Sequence, residues 1–527
     1  MRRSFLTAAV VLVTSASLVH ADRPEWESVR GVPIAAVRMQ ASEVFDPSSP
    51  GQDYFFLEWA NTLHIVTRPH VLRREFDQRV GDPFDPQRAE ECERNLKSLG
   101  IFQEARVVAT RSAAGVDVAL CTVDRWSLSA NPVLQAEGGV NEIGLAIGDR
   151  NVLGLGFELG ALGVISNDVD RAALRWRDRR VLGTRWDAAL EFQYDDLTRY
   201  RGAGLAFPFH SDAGRWTSDL GVALLDGEER IFESGEETAR FDVHEDRVES
   251  SVAIHAPGSR LGKLGLFQTW RRVRGDATSD VAALGVFGAL LSRESSYRRH
   301  VDQFGPDEEI SQGWTLQVGL GADLIALGAT RDRLLYRAEA AASRFLGDDV
   351  LCGAVARHHA FVDRGGALAD GRLTAELYGF WAPGAHAALA WRVGGDALLD
   401  ERPYARFDLG SDDRLRGYEA RALNGTRVLY GGLEQRLFAS RRVSFLRLGA
   451  VAFVDAAAAW DEGEVLDTTH ARLAGGVGLR LGTDPTGSNV TRVDIGFGTN
   501  SIEIAISSGS FFTVGRTLAF PSTRLFQ

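Results

Sequence analysis

Residues able to do covalent or metal chemistry are sparse in this 527-residue sequence, and their spacing does not assemble them. A nucleophilic serine elbow would read Gly-x-Ser-x-Gly, a phosphate loop would end in Gly-Lys-Ser/Thr, and a thiol site would read Cys-x-x-Cys; none occurs. His358 and His359 are adjacent, and neighbours on a strand point to opposite faces, so they serve one metal poorly. The Gly-x-Gly turns at Gly154–Gly156 and Gly319–Gly321 have no helix after them, so no dinucleotide is implied. No catalytic residue, no metal site and no cofactor follows from these patterns. What the sequence does concentrate is charge beside a glycine. The stretch "SDDRLRGYEARALNG", Ser411 to Gly425, gathers Asp412, Asp413, Arg414, Arg416, Glu419 and Arg421 around Gly417 and Tyr418. The chemistry open to it is ion pairing. A guanidinium taken out of water needs carboxylates, which it holds in a bidentate fork.

Candidate partners come from the elements on either side. From Trp126 onward, segments alternate apolar and polar residues between clusters of Gly, Asp and Arg. "GWTLQVGLGAD" sets Trp314, Leu316, Val318, Leu320 and Ala322 against Thr315, Gln317, Gly319, Gly321 and Asp323. "VLYGGLEQRLF" opposes Leu429, Leu433 and Leu437 to Tyr430, Glu434 and Arg436, and "FVDAAAAW" places Asp455 opposite Val454. A lipid-facing apolar row opposed to a polar interior marks a transmembrane antiparallel β-barrel. Alternation thus points Glu434 and Asp455 inward. At ~10 residues per span plus turns, residues 127–512 accommodate about 16 strands. "SGEETARFDVHEDRVES" is too charged for a span and reads as an external loop.

The ends and the composition set the compartment. Arg2 and Arg3, the apolar run Phe5 to Val19 and the small residue Ala21 read as a signal peptide over 1–21, with Asp22 as the mature terminus. The net charge of −12 and the lack of a basic block argue against nucleic acid. Lys97 and Lys263 are the only lysines, which we attribute to base composition. Cys92, Cys121 and Cys352 permit at most one intrachain bridge; Cys92 and Cys121 share one region, and both also suit plain core positions.

Residues 22–126 read as mixed α/β. "PIAAVRMQASEVFD" is a strand. Phe55, Trp59 and Leu63 keep helical spacing. "DPQRAEECERNLKSLG" opens with Asp85 as N-cap and Pro86 at the first helical position, and stops at Gly100. "EARVVATRSAAGVDVALCTVD" supplies two strands.

Three stretches together resemble the bacterial surface-antigen superfamily of outer-membrane assembly and secretion barrels. "VLRREFDQRVGDPFDPQRAEECERNLKSLGIFQEARVVA" with "VDVALCTVD" is similar to a POTRA domain. "GGVNEIGLAIGDRNVLGLGFELG" is similar to the first strand and hairpin of such barrels, with Asn151, Gly154 and Gly156 in the turn. Leu415, Arg416, Gly417 and Tyr418 resemble the family's Arg-Gly-Phe/Tyr motif. The resemblance implies a small α+β POTRA-like periplasmic domain (22–126) followed by a 16-stranded barrel in the outer membrane. It implies a motif loop folded back into the lumen, with Arg416 held by Glu434 and Asp455.

It further implies a polypeptide client, an unfolded outer-membrane or secreted chain, together with outer-membrane lipid and unidentified accessory periplasmic proteins. The client would add a strand to the edge Glu104, Ala105, Arg106, Val107, Val108, Ala109 and Thr110. It would also meet the seam between a first strand around Leu134–Ile147 and a last one around Ser501–Phe512. The function implied is assembly, insertion or translocation of such polypeptides, not catalysis. Two alternatives stay open: a two-partner-type secretion pore, and a passive porin or structural barrel. The sequence departs from the family at its end, where residues 513–527 follow the expected terminal aromatic Phe512. They form a tail or move the end of the barrel.

Overall fold

The computed structural model describes residues 24–43 and 64–508, apart from 209–214, 256–261, 277, 299–300, 302–307, 385, 400–404, 412, 440–446 and 483–489. The expected signal peptide, the helical spacing of Phe55 to Leu63, Asp412 and the tail 513–527 lie outside them. The chain divides into two compact units, Met1–Arg125 and Trp126–Gln527.

The first unit contains α1 (Pro24–Glu27), β1 (Ile34–Ser42), α2 (Pro69–Arg73), α3 (Pro86–Ser98), β2 (Phe102–Ser112) and β3 (Gly115–Asp124). Helix α3 starts where the caps require: the Asp85 side chain accepts the Gln87 N–H at 2.9 Å, which satisfies a first-turn donor. It stops at Gly100, whose φ of +72° suits glycine. The sheet order is β1-β3-β2, with β1 parallel and β2 antiparallel to β3. Strand β3 alternates strictly, so Val116, Val118 and Leu120 enter the core with Cys92, Leu96 and Phe84. The same alternation puts Cys121 on the opposite face, where its thiol donates to Gln40. Cys92 and Cys121 are both free. Burial pushes the Cys92 thiol well above its ordinary pKa, so it stays a protonated core residue.

The second unit is a closed antiparallel barrel. Its first arc is β4 (Leu128–Glu137), β5 (Val140–Asp149), β6 (Phe157–Ser166), β7 (Arg171–Asp178), β8 (Asp187–Asp195) and β9 (Thr198–Phe207). Longer strands follow: β10 (Trp216–Glu233), β11 (Glu236–His255), β12 (Gly262–Gly275), β13 (Ser279–Arg298) and β14 (Glu308–Asp323). Next come β15 (Arg333–Leu346), β16 (Val350–Val362), β17 (Leu368–Gly384) and β18 (Ala387–Leu399). The two-stranded ribbon β19 (Phe407–Leu409) and β20 (Leu423–Gly425) stands apart from the wall. The wall resumes with β21 (Arg427–Phe438), β22 (Arg447–Trp460), β23 (Ala471–Gly482), β24 (Val490–Gly498) and β25 (Ser501–Ser508), which meets β4. We call the end where β4 begins the near end and the opposite one the far end.

The outer face is apolar. Ile143, Leu145 and Ile147 of β5 and Leu316, Val318 and Leu320 of β14 are all exposed, while Thr315 and Gln317 between them are buried inward. A closed wall leaves no unpaired edge in hydrocarbon, which is what a membrane-spanning sheet requires. No helix among the described residues is long and apolar enough to cross a membrane.

Three expectations are corrected. The fold class of a POTRA-like domain before about 16 strands is overturned: the barrel closes with 20 strands and the described chain is nearly all β. The division into ~24 residues per strand failed because β4 to β9, of 8–10 residues each, turn over rapidly within 128–207. In the first unit only α3, with 13 residues, is a full-length helix among the described residues, and no clear POTRA fold emerges. "SGEETARFDVHEDRVES" lies mostly in β11, not in a loop. The first strand is β4, and the span Leu134–Ile147 contains the turn at Gly138–Gly139.

Candidate functional site in the barrel lumen

The connection between β18 and β21 enters the lumen through the β19–β20 ribbon, which pairs Phe407 with Gly425 and Leu409 with Leu423. Between them the backbone is bent by two non-glycine residues in the left-handed region, Arg414 (φ 71°) and Arg421 (φ 59°). Such conformations cost on the order of 1–3 kcal/mol each and persist only when the surroundings enforce them. Here the side chains do so. Arg414 donates to Asp396 of β18 at 2.9 Å and lies over the Tyr430 ring. Arg421 donates to Asp168 in the β6–β7 turn at 2.7 Å and lies over Phe232.

Arg416 sits at the tip and is 1 % exposed. Its Nε and Nη2 donate to the two oxygens of Asp455 at 2.7 and 2.9 Å, and Nη1 donates to Glu434 at 2.6 Å. The guanidinium carbon lies 3.6 Å from the Phe453 ring centroid. Glu434 and Asp455 come from neighbouring strands, β21 and β22, at inward positions, so alternation alone aims both at one point. The next residues lock the backbone. Gly417 has φ +85°, and a Cβ there would come within 3.1 Å of the backbone of Gly496 to Gly498 on β24. Tyr418 donates its hydroxyl to the Leu473 carbonyl and accepts the Thr499 N–H, each at 2.9 Å. Leu415 is fully buried beside Leu409 and Val428.

Several residues of this site were not found by sequence reasoning. Around Arg416 the lumen alternates charge: Arg436 donates to Glu434 at 2.8 Å, Arg480 pairs with Asp494, and Arg492 donates to Asp494 at 3.2 Å. Arg492 also reaches Glu137, the last residue of β4, at 2.6 Å, with both residues buried. The signal was present in "LAGGVGLRL" and "VTRVDIGFG", where Arg480, Arg492 and Asp494 take inward positions on consecutive strands. At its near-end side, Arg436 donates to the Val301 carbonyl at 2.7 Å.

The Glu137–Arg492 pair crosses the junction where the barrel closes. Strand β4 pairs with β5 along its whole length, from Leu128–Asp149 to Glu137–Val140. With β25, among the described residues, it forms one register pair, Ile506–Ala136. The inserted loop spans the same junction. On the β25 side Ser501 donates to the Gly417 carbonyl at 2.6 Å. On the β4 side the Ala420 N–H donates to the Gly138 carbonyl at 3.0 Å. Further on, Asn424 accepts the Ser234 N–H from the β10–β11 turn at 2.9 Å.

The other sequence-predicted segment, Glu104 to Thr110, lies in the first unit. It occupies β2, an edge strand whose outer side is partly taken: Val107 donates its N–H to the buried Glu93 carboxylate of α3 at 2.7 Å. Neighbouring Val108 is exposed. His358 and His359 point to opposite faces, and His358 meets Tyr336 on the outer surface. Among the described residues no cluster of His, Cys, Asp and Glu is arranged to hold a metal ion.

No family model matches the chain, and no curated protein does. Among solved structures it is similar to BamA from Haemophilus ducreyi lacking POTRA domains 1–3. Identity is 13% and TM-score 0.41, over 90% of this chain and 84% of that one. It is also similar to CdiB from Acinetobacter baumannii at 12% identity and TM-score 0.43, over 91% and 74% of the two chains. Wzi, an Escherichia coli outer-membrane protein described as a carbohydrate-binding β-barrel, follows at 10% and 0.35, over 74% and 84%. Likeness at this level carries no argument about activity. The chain's own geometry supplies one: a closed barrel whose final junction is held by an inserted loop and a buried ion pair.

Proposed function

We propose that this protein is an outer-membrane barrel that assembles, inserts or translocates polypeptides by opening the β25–β4 junction. The observation that carries the reading is how side chains hold that junction: the buried Glu137–Arg492 pair crosses it, and the inserted loop bonds Ser501 on one side and the Gly138 carbonyl on the other. An edge freed by breaking side-chain contacts can template an incoming strand through main-chain hydrogen bonds. Burying the client's apolar faces in lipid supplies the driving force, so no nucleotide is needed. In this reading Arg416 and its carboxylates brace the wall beside the junction, and the exported chain keeps its first unit in the periplasm. Strand β2 offers the client a second edge once Glu93 yields the Val107 N–H.

The test is a reversible lock. Ala136 and Ile506 are register partners on the junction, so Ala136→Cys with Ile506→Cys, in a background lacking the native cysteines, can be cross-linked there. In liposomes the reduced protein should speed folding of a client barrel, the oxidised form should not, and reductant should restore the rate. Equal rates in both forms would overturn opening of the junction. A passive porin would instead show large, steady conductance indifferent to the cross-link and to Arg416→Ala.

A further inference from the structure

The outer face of β8 to β12 changes from apolar to charged within one register step. The row Leu190, Ala203, Val222 and Val248 carries no charge. One step toward the far end, the register aligns Phe192, Arg201, Leu224, Asp246 and Arg272. The step after that aligns Tyr194, Arg199, Asp226, His244 and Arg274. Phe192 and Tyr194, like Leu205 further down β9, are exposed on the lipid side, so Arg199 and Arg201 share that face and are exposed themselves.

Of the acids on and beside this band, two are engaged by other cations, and Asp246 stands on β11, across Leu224 from Arg201. Asp226 pairs with His244, and Asp280 holds Arg274 through both its oxygens. Arg199 makes a ring contact with Tyr194, 5.9 Å to the centroid, and no ion pair among the described residues. Arg201 lies between Phe192 and Leu224 and makes no ion pair among the described residues. Two guanidiniums two residues apart on a strand sit roughly 7 Å from each other, close enough to grip one headgroup. We infer that Arg199 and Arg201 form a binding site for a phosphomonoester-bearing, anionic lipid headgroup of the far-end leaflet. The guanidinium fork matches phosphate bidentately. Phe192 and Tyr194 supply the aromatic border at headgroup depth, and the uncharged row behind receives the acyl chain. The site rests on the barrel being membrane-embedded and is independent of any client.

The experiment uses full-length protein in phosphatidylcholine nanodiscs doped with bis-phosphorylated or dephosphorylated lipid A, counting lipid retained on the extracted barrel by mass spectrometry. Wild type should retain the phosphorylated lipid several-fold over the dephosphorylated one. Arg199→Gln with Arg201→Gln should abolish that preference, and Arg199→Lys with Arg201→Lys should restore part of it. Heat-modifiable migration on gels shows that each variant is folded. Equal retention by wild type and the folded Gln variant overturns the site and makes both arginines ordinary interfacial anchors. Failure of wild type itself to enter nanodiscs overturns the membrane reading and the site together.

Discussion

The barrel has two arcs built on different principles. In β10 to β18 the strands run 13–20 residues, and their inward faces are packed. Phe267, Phe287, Leu335 and Phe361 form one apolar cluster there, and Leu351, Tyr378 and Phe380 another. In β4 to β9, with β24 and β25, strands have 8–10 residues, at the lower limit for crossing hydrocarbon. Inward side chains such as Arg171, Arg175 and Gln193 face open water. The long arc is stabilised by apolar area and long ladders, which can be lost only by unfolding. The short arc is braced at its closure by oriented charges and the inserted loop. In the proposed opening, breaking those contacts is what would free the junction.

The comparison breaks most visibly if one carboxylate is removed. Asp455→Ala leaves Arg416 buried with half its partners, at a cost of roughly 3–5 kcal/mol. Phe287→Ala in the long arc should cost a similar ~3–5 kcal/mol through its cavity. The two variants should nevertheless differ in kind. Proteolysis of the folded protein should cut the 410–425 loop in Asp455→Ala and spare it in Phe287→Ala. If both loops resist equally, Arg416 does not hold the loop in place. Charge exchange sharpens the point: Arg416→Asp with Asp455→Arg should recover stability over either single change.

The junction pair gives an intermediate effect. Glu137→Gln and Arg492→Gln should each loosen β4, while the double change should cost less than their sum, by ~0.5–3 kcal/mol of coupling. Hydrogen exchange reads this locally: β4 amides should exchange faster in either variant, and those of β14 should not change. Additive losses would mean that the pair does not couple the two sides.

How much of this was open to sequence reasoning depends on where alternation holds. It holds across the membrane, so alternation pointed Glu434 and Asp455 inward, whereas Arg416, in a loop with no strand period, was joined to them only by the motif resemblance. It fails where a strand outgrows the hydrocarbon. In β11 the outer face leaves the hydrocarbon and enters the polar headgroup zone, so Asp246 and His244 replace apolar residues and the strand looks like a loop. Strand number was also hidden, because a turn as short as Gly138–Gly139 leaves no linker to mark the reversal. The Glu137–Arg492 contact joins residues from the two ends of the barrel, and nothing local announces closure. The edge at β2 was readable as a strand, but the Glu93 carboxylate facing Val107 comes from a helix and follows no strand period.

The smallest expected effect lies at the loop's outer anchor. Burial raises the pKa of Asp168, but hydrogen bonds and charge from Arg230 and Arg421 outweigh it and hold the carboxyl down at about 2. A carboxyl depressed in the folded protein contributes stability above its ordinary value near 3.8, and that contribution fades as pH falls toward about 2. The group is part-exposed, so solvent screening reduces the gain to about 1 kcal/mol. The hydrogen-exchange protection factor around Arg421, which removes the intrinsic pH dependence of exchange, should therefore fall between pH 4 and pH 2 in the wild type. In Asp168→Asn it should already be low at pH 5 and show no further step. Arg416, anchored to carboxylates deep in the lumen, should keep its own segment protected over that range. A loop that loosens along its whole length at once would mean that the two anchors act as one unit, and that the far-end turns share the work assigned to the junction.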